Sequence, residues 1–414
     1  MLKLFSSPDQ IVTVNTNGIN FKNGDQLNDI GLLEGYSIVV EDETIKDLIT
    51  NADIRKYSFD QTVDLTGKVV LPGLIDCHTH TVFAGSRAEE FRMKIAGVGY
   101  EEIAKSGGGI IKTVGSLRKL SQTQLKDLSG SRIRYAISRG ITTLEIKSGY
   151  GLNFENEIKI LKTIQDLNQE FEIDIVPTFL GAHTYPKEYK DDHEGYLNLI
   201  TERLLPYIAN EGLAEFCDVF CETTAFSTSE TERVLMKAAS LGFKLKLHTE
   251  QFNRIGGVSL GLKYNVYSLD HLEMISDEDI EKAASAETVC VLLPGVSFFL
   301  KYGYAPAREL IKKGAVVALS TDYNPGSSHI ADIGFIMSLA AIQMRMTIEE
   351  VISSVTINAA KALDRNSVTG SIEIGKKADF SIFDTSEYPD IVYNVAKNLN
   401  VCTVKNGKII YKSS

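Results

Sequence analysis

Two of the seven histidines in this 414-residue chain, His78 and His80, stand one residue apart in LPGLIDCHTHTVFAG, where an apolar run gives out. Side chains two apart on a strand point to one face, so both imidazoles can aim at a common centre and hold one metal ion. Three more histidines close strand-like runs: His183 in IDIVPTFLGAHT, His248 in FKLKLHTE and His271 in VYSLDHLE. Asp322 does the same in AVVALSTD. Together with the His78 and His80 pair, His248 and Asp322 could supply imidazole nitrogens and one hard carboxylate oxygen. Such a set suits zinc or iron and leaves a position for water. His193 in DDHEGY and His329 in GSSHI close no strand and are read as ordinary polar residues.

The elements that must position these groups follow from the pattern around them. From about 70 to 322 the chain alternates strand-like and helix-like stretches, the signature of a parallel α/β fold. Eight strand candidates can be counted: VVLPGLIDCHTH, ITTLEIKSGY, IDIVPTFLGAHT, FCDVFCE, FKLKLHTE, VYSLDHLE, TVCVLLPG and AVVALSTD. Eight strands predict a (β/α)8 TIM barrel, whose sites lie at the C-terminal strand ends where the histidines and Asp322 fall. Between the strands, ENEIKILKTIQDLNQE repeats Ile158, Leu161, Ile164 and Leu167 at helical spacing, and ETERVLMKAASLG ends on a helix-stopping glycine. DIGFIMSLAAIQMRMTIEEVISSVTINAAKAL predicts two further helices. Residues 1–70 and 370–414 read as short strands cut by Asn, Gly and Asp turns, and are expected to pair into one composite β-sandwich beside a barrel of residues 71–369.

Composition narrows the partners. An excess of acidic over basic residues gives a net charge of −11, which speaks against nucleic acid or an anionic membrane and for a small-molecule substrate. The start, MLKLFSSPDQIVTVN, carries no cleavable leader pattern, and no apolar run is long enough to span a bilayer, so a cytoplasmic protein is expected. The five cysteines, Cys77, Cys217, Cys221, Cys290 and Cys402, form no C-x-x-C pair and are expected to be reduced and mostly buried. The glycine-rich SGGGI at 106–110 has no following G-K-[ST] and leaves no strand, so it reads as a mobile loop near the barrel mouth rather than a phosphate cradle. Arg87, on the first loop beyond the histidine pair, can clamp a substrate carboxylate. The apolar IGFIMSLAAIQM is expected to pack on the barrel or between the subunits of a homodimer.

GLIDCHTH, with a histidine on the fifth strand, another on the sixth and an aspartate on the eighth, resembles the amidohydrolase superfamily of metal-dependent hydrolases. HTHTVFAGSRAEEF, GGGI, EIKSGYGL, FLGAHTYPKEY, DVFCE, DHLE, LLPG and STDYNPGSS are similar, within it, to the cyclic-amide hydrolases of histidine breakdown. The resemblance implies hydrolysis of 4-imidazolone-5-propanoate to N-formimidoyl-L-glutamate with one zinc or iron ion. It implies His78, His80, His248 and Asp322 as metal ligands, and Arg87, Tyr150, His183, Gln251, Asn324, Gly326 and Ser327 as substrate or product contacts. Asp322 would shuttle a proton, and His271 would polarise the carbonyl. In some relatives an acidic residue stands three positions after the fifth-strand histidine, where this chain reads HTEQ. An amide cannot transfer protons as a carboxylate can, so either Glu250 takes the catalytic polar role or Gln251 only orients substrate or water. A deaminase of the same superfamily would need Glu250 as its proton-transfer group.

Overall fold

A computed structural model describes residues 1–97 and 108–413. The glycine-rich loop expected at 106–110 thus lies outside the described residues up to 107. Gly109, inside them, takes a left-handed φ of 83° and caps the helix Ile110–Arg118.

The first seven strands are β1 (Leu2–Ser6), β2 (Gln10–Val12), β3 (Leu32–Leu33), β4 (Tyr36–Glu41), β5 (Thr44–Thr50), β6 (Gln61–Asp64) and β7 (Val69–Pro72). The barrel follows as β8 (Leu74–Asp76), β9 (Ile141–Lys147), β10 (Asp174–Ala182), β11 (Phe216–Cys221), β12 (Lys244–Thr249), β13 (Ser268–His271), β14 (Val289–Leu292) and β15 (Val316–Leu319). β16 (Phe380–Phe383), β17 (Asn400–Lys405) and β18 (Lys408–Lys412) end the chain. One sheet has the order β5-β4-β1-β6, and a second, β18-β17-β16-β7-β2-β3, joins strands from both ends of the sequence. Phe5, Ile38 and Val40 of the first pack on Val70, Phe380 and Ile382 of the second, with Phe5 and Phe380 edge to face at 5.4 Å.

All eight sequence-predicted barrel strands form, in consecutive parallel order from β8 to β15. Their residues are buried almost without exception, as in β9, where all of ITTLEIK is buried, because helices cover the outside and side chains fill the inside. The run VVLPGLIDCHTH is not one strand, however. It divides at Gly73: Val69–Pro72 pairs with β16 and Leu74–Asp76 with β9. A Cβ on Gly73 would lie 2.2 Å from Thr142 Oγ1, so the crossing from sandwich to barrel tolerates no side chain.

The helix-forming stretches behave as their periodicity and caps require. Asn153 caps Phe154–Glu170, and Ser227 with Glu230 forms a capping box on Thr228–Ser240. Between β15 and β16 there are three helices rather than the two expected: Ile333–Met344, Ile348–Ser354 and Ile357–Ala362. The extra break has a physical cause. The Val355 carbonyl accepts the Ile75 N–H of β8 at 3.0 Å, and Thr356 takes φ −124° and ψ −99°, outside helical geometry. The apolar Ile333–Met344 packs on the barrel core, leaving Ile342 exposed. All five cysteines are free and buried. Among the described residues no helix is long and apolar enough to cross a membrane.

β8 and β15 meet where the barrel closes. Asp322 N–H donates to His78 O at 3.1 Å and His80 N–H to Tyr323 O at 3.0 Å. Below them the buried Asp76 carboxylate accepts from the Ser320 hydroxyl, from Thr321 N–H at 3.0 Å and from the Thr321 hydroxyl at 2.7 Å. Removing it would leave the N–H and hydroxyl of Thr321 without an acceptor in a dry seam, while the Ser320 hydroxyl keeps the His78 carbonyl at 3.1 Å. Asp76→Ala is therefore expected to lose about 2–4 kcal/mol of stability, read from denaturant midpoints of chelator-treated protein. A loss under about 1 kcal/mol would show that the backbone bonds alone hold the seam.

Candidate active site

Each metal-facing side chain leaves its strand at the same end of the barrel. His248 lies within β12 and His271 ends β13, while His78 and His80 follow β8 and Asp322 follows β15. The histidine pair is thus just past its strand rather than on it. The bridge between Thr79 and Tyr323 nevertheless keeps this stretch extended against the loop after β15, and both rings face Asp322. His271 and Asp322 hold left-handed backbones, φ 85° and 47°, a conformation rare for residues with side chains and concentrated at functional sites.

The ligand atoms of His78, His80 and Asp322 lie within 4.8 Å of one another, and those of His78, His248 and His271 do as well. His78 Nε2 and His80 Nε2 each stand 3.4 Å from Asp322 Oδ1. His78 Nε2, His248 Nε2 and Asp322 Oδ1 are buried with no hydrogen-bond partner. Unpaired polar atoms in a dry centre are costly, and several converging nitrogens with one carboxylate oxygen fit a divalent metal ion. His271 belongs to the second of these groups, so five donor side chains make up two sets that share His78.

What aims the rings lies beneath them, and the sequence reading missed it. His78 Nδ1 meets Asp270 Oδ2 at 2.6 Å, and His248 Nδ1 lies 2.8 Å from Asp218 Oδ2. Lys147, Glu145 and Lys246 complete a fully buried charged layer. Burial opposes ionisation of Asp218 and Asp270. The charges of His248 and Lys147 around the first, and of Lys246, His78 and Lys147 around the second, nonetheless hold both carboxyls well below their usual range. Burial and Lys147 likewise oppose a charge on His78, but Asp270 and Asp322 outweigh them and raise it to about 8. Three carboxylates against two ammoniums leave excess negative charge under the imidazoles, which with Asp322 favours a cation. The signal was present in TLEIK, FCDVF, KLKLH and SLDHL: a charge inside a strand buried on both faces has no solvent to point to.

Above the metal-facing atoms opens a cavity of about 560 Å³. His80, His248, His271 and Asp322 form its floor, and Arg87, Tyr150, His183, Gln251, Asn324, Gly326 and Ser327 all line it. The Arg87 guanidinium donates to Glu90 at 2.8 Å and lies against Gly326, where a Cβ would come within 2.1 Å of Nη1. Lys94, not singled out from the sequence, also lines the cavity. Tyr150 sits in a loop pinned by the buried Glu157, whose carboxylate accepts from the N–H groups of Gly149 at 3.1 Å, Gly151 at 2.7 Å and Leu152 at 2.9 Å. His183 stacks on His80. Burial and the neighbouring His80 lower its pKa to about 3, so the ring is neutral. Its Nδ1 lies 3.1 Å from the Gly149 carbonyl, which can only accept, so the proton sits on Nδ1 and Nε2 is left as an acceptor.

The side chain of Asn324 is committed within its own loop. Its Nδ2 donates to Asp322 O at 2.7 Å and to Asp322 Oδ2 at 2.9 Å, and its Oδ1 accepts from the N–H groups of Gly326 and Ser327. Asn324 therefore occupies one oxygen of Asp322 and leaves Oδ1 for the histidines. Glu250 and Gln251 part company. Gln251 reaches the cavity and donates to the Tyr302 hydroxyl at 3.2 Å. The structure does not bring Glu250 to the cavity: its backbone turns left-handed at φ 54°, and its carboxylate accepts the Gly256 N–H at 3.3 Å, at the start of the helix Gly257–Lys263. His193 stacks on Tyr185 at 3.7 Å and His329 packs on Phe83 and Tyr323, neither among the metal-facing donors.

Known proteins resemble the chain in fold and in sequence. By fold the chain is similar to Escherichia coli guanine deaminase, with a TM-score of 0.76 and 12% identity over 100% of both chains. It is likewise similar to atrazine chlorohydrolase from Arthrobacter aurescens TC1 complexed with zinc, with a TM-score of 0.71 and 16% identity over 99% of this chain and 95% of that one. By sequence it is 42% identical to the imidazolonepropionase of Clostridium tetani over 99% of this chain and 98% of that protein. It is 45% identical to that of Alkaliphilus oremlandii over 97% and 96%. Residues 69–410 match the amidohydrolase family. With barrel, converging donors and near full-length identity in agreement, the chain belongs to the amidohydrolase family and, within it, to the imidazolonepropionases.

Proposed function

We propose that this chain opens the ring of 4-imidazolone-5-propanoate by hydrolysing its cyclic amide to N-formimidoyl-L-glutamate, a step of histidine breakdown, with one zinc or iron ion held by His78, His80, His248 and Asp322. The observation that carries this reading is the identity of 40% and more to imidazolonepropionases over nearly the whole chain, in a protein whose expected site residues, Glu250 apart, gather on one cavity and the donors beneath it.

A bound divalent ion lowers the pKa of water from 15.7 toward about 7 and polarises a carbonyl, which a cyclic amide requires near neutral pH. The protein's own residues do the rest. Asp322 Oδ2 is fixed by Asn324, which keeps the carboxylate beside the reacting centre to accept the water proton and return it to the leaving ring nitrogen. His271, on the cavity floor, stabilises the carbonyl oxygen as it gains charge. Arg87 and Tyr150 hold the propionate, a carboxylate meeting one cation and one phenolic donor. His183, with its proton on Nδ1, accepts from a ring N–H through Nε2, so it orients the ring and does not polarise its carbonyl. Gln251, which lines the cavity and bonds to Tyr302, is a positioning group. The deaminase alternative required Glu250 as proton donor, and that carboxylate is bound to backbone away from the cavity.

Asp322→Asn is expected to fold and to lose turnover by about 10²–10⁴-fold, followed by ultraviolet absorbance of freshly generated substrate. Near-normal kcat with metal bound would remove the proton-transfer role. Arg87→Ala is expected to raise KM more than it lowers kcat. Gly326→Ala, which forces a Cβ into the guanidinium, should do the same to a smaller degree, and an unchanged KM in both would end the carboxylate assignment. Chelator treatment is expected to abolish turnover and added Zn²⁺ to restore it, with formimidoylglutamate identified by mass. Ammonia release from heterocyclic amines without ring opening would instead indicate a deaminase.

A further inference from the structure

Lys147 takes no part in the reaction just described, yet it is a fully buried ammonium at the end of β9, directly below the imidazoles. Its Nζ lies 2.8 Å from Asp218 Oδ2 and 3.6 Å from Asp270 Oδ2, with Glu145 Oε2 at 2.9 Å on a third side. Those two aspartate oxygens are the same ones that meet His248 Nδ1 at 2.8 Å and His78 Nδ1 at 2.6 Å. Two oxygens, on β11 and β13, thus each stand between one histidine and one shared cation.

The sharing has a consequence for the rings. Two buried carboxylates within 4.8 Å of each other, on strands separated only by β12, repel, and without a cation between them one would turn away. Such a turn removes the carboxylate oxygen beside Nδ1 of His78 or His248, and with it the support that aims Nε2 of that ring at the centre. We propose that Lys147 is the positioning residue that sets His78 and His248 together, one ammonium holding in place both carboxylates that orient these histidines toward the metal. Lys246, the other lysine of this charged layer, is placed differently: it pairs with Glu145 at 3.0 Å and donates to the Cys77 carbonyl at 3.0 Å. The coupling between the two histidines therefore runs through Lys147.

This inference rests on the metal site proposed above, and the experiment separates the two. Chelator-stripped protein is titrated with Zn²⁺ against a competing chromophoric chelator. Wild-type protein that takes up no stoichiometric zinc defeats the metal site itself. Given binding by wild type, Lys147→Met is expected to bind zinc about 10–100-fold more weakly, with KM at saturating zinc changed less than about twofold because Lys147 does not line the cavity. In an Asp218→Asn/Asp270→Asn background the same substitution should have no further effect on zinc affinity, since the groups it acts through are gone. Unaltered affinity in folded Lys147→Met, or an equal loss in the double-asparagine background, overturns the inference. If Lys147→Met does not accumulate as folded protein, Lys147→Gln, which keeps one donor but no charge, is read by the same titration and the same criteria.

Discussion

An imidazole can offer a lone pair to a metal only if its proton is held on the other nitrogen, and holding it there takes an acceptor on the far side of the ring. In this protein a buried carboxylate stands on that side, Asp270 hydrogen-bonded to His78 and Asp218 with an oxygen 2.8 Å from His248 Nδ1. Burying a carboxylate is unfavourable unless a cation and hydrogen bonds compensate it, so the acceptors draw two lysines and a glutamate into the barrel. A barrel interior is ordinarily filled by branched apolar side chains. Here the layer below the site is ionic, with the apolar clusters packed around it on the strands and the surrounding helices.

The same constraint explains the attention given to the seam. Eight strands closed into a ring place the histidines of β12 and β13 opposite those that follow β8 only if β8 and β15 stay registered. Asp76 accepts three hydrogen bonds from Ser320 and Thr321, and the backbone bonds from Asp322 to His78 and from His80 to Tyr323 lie immediately above. The ligand from the last strand is therefore delivered beside the ligands from the first by the contacts that close the barrel. Loops above the rim are disciplined by single carboxylates or amides: Glu157 for the Tyr150 loop, Asn324 for the Asp322 loop, and Glu222, which accepts from the N–H groups of Phe252 and Asn253, for the loop carrying Gln251. Each satisfies several backbone donors at once, which gives a short irregular segment one conformation.

Much of this could be seen in the residues. The eight strands were legible because parallel strands buried on both faces read as apolar runs of the right length, and the site because polar residues that end such runs collect at one rim. Other features were not. The break at Gly73 depends on Thr142, distant in sequence, and the break at Val355 on a hydrogen bond to Ile75; no local pattern announces either. The charged layer was passed over because each of its members, taken alone in its strand, looks like an ordinary surface residue.

What the sequence by itself determined is the inventory and its order: an HxH after the first barrel strand, histidines at the third, fifth and sixth, an aspartate at the eighth, and an arginine just past the first. Strand periodicity and barrel topology suffice for that, since both are local or follow from counting. Tertiary structure alone decided which atom of each group faces the centre. It put the His183 proton on Nδ1, left Asp322 one free oxygen, sent Gln251 into the cavity and turned Glu250 away from it. Those outcomes depend on a backbone dihedral or on a partner on another strand, and hydrogen-bond direction is a property of pairs that no single residue carries.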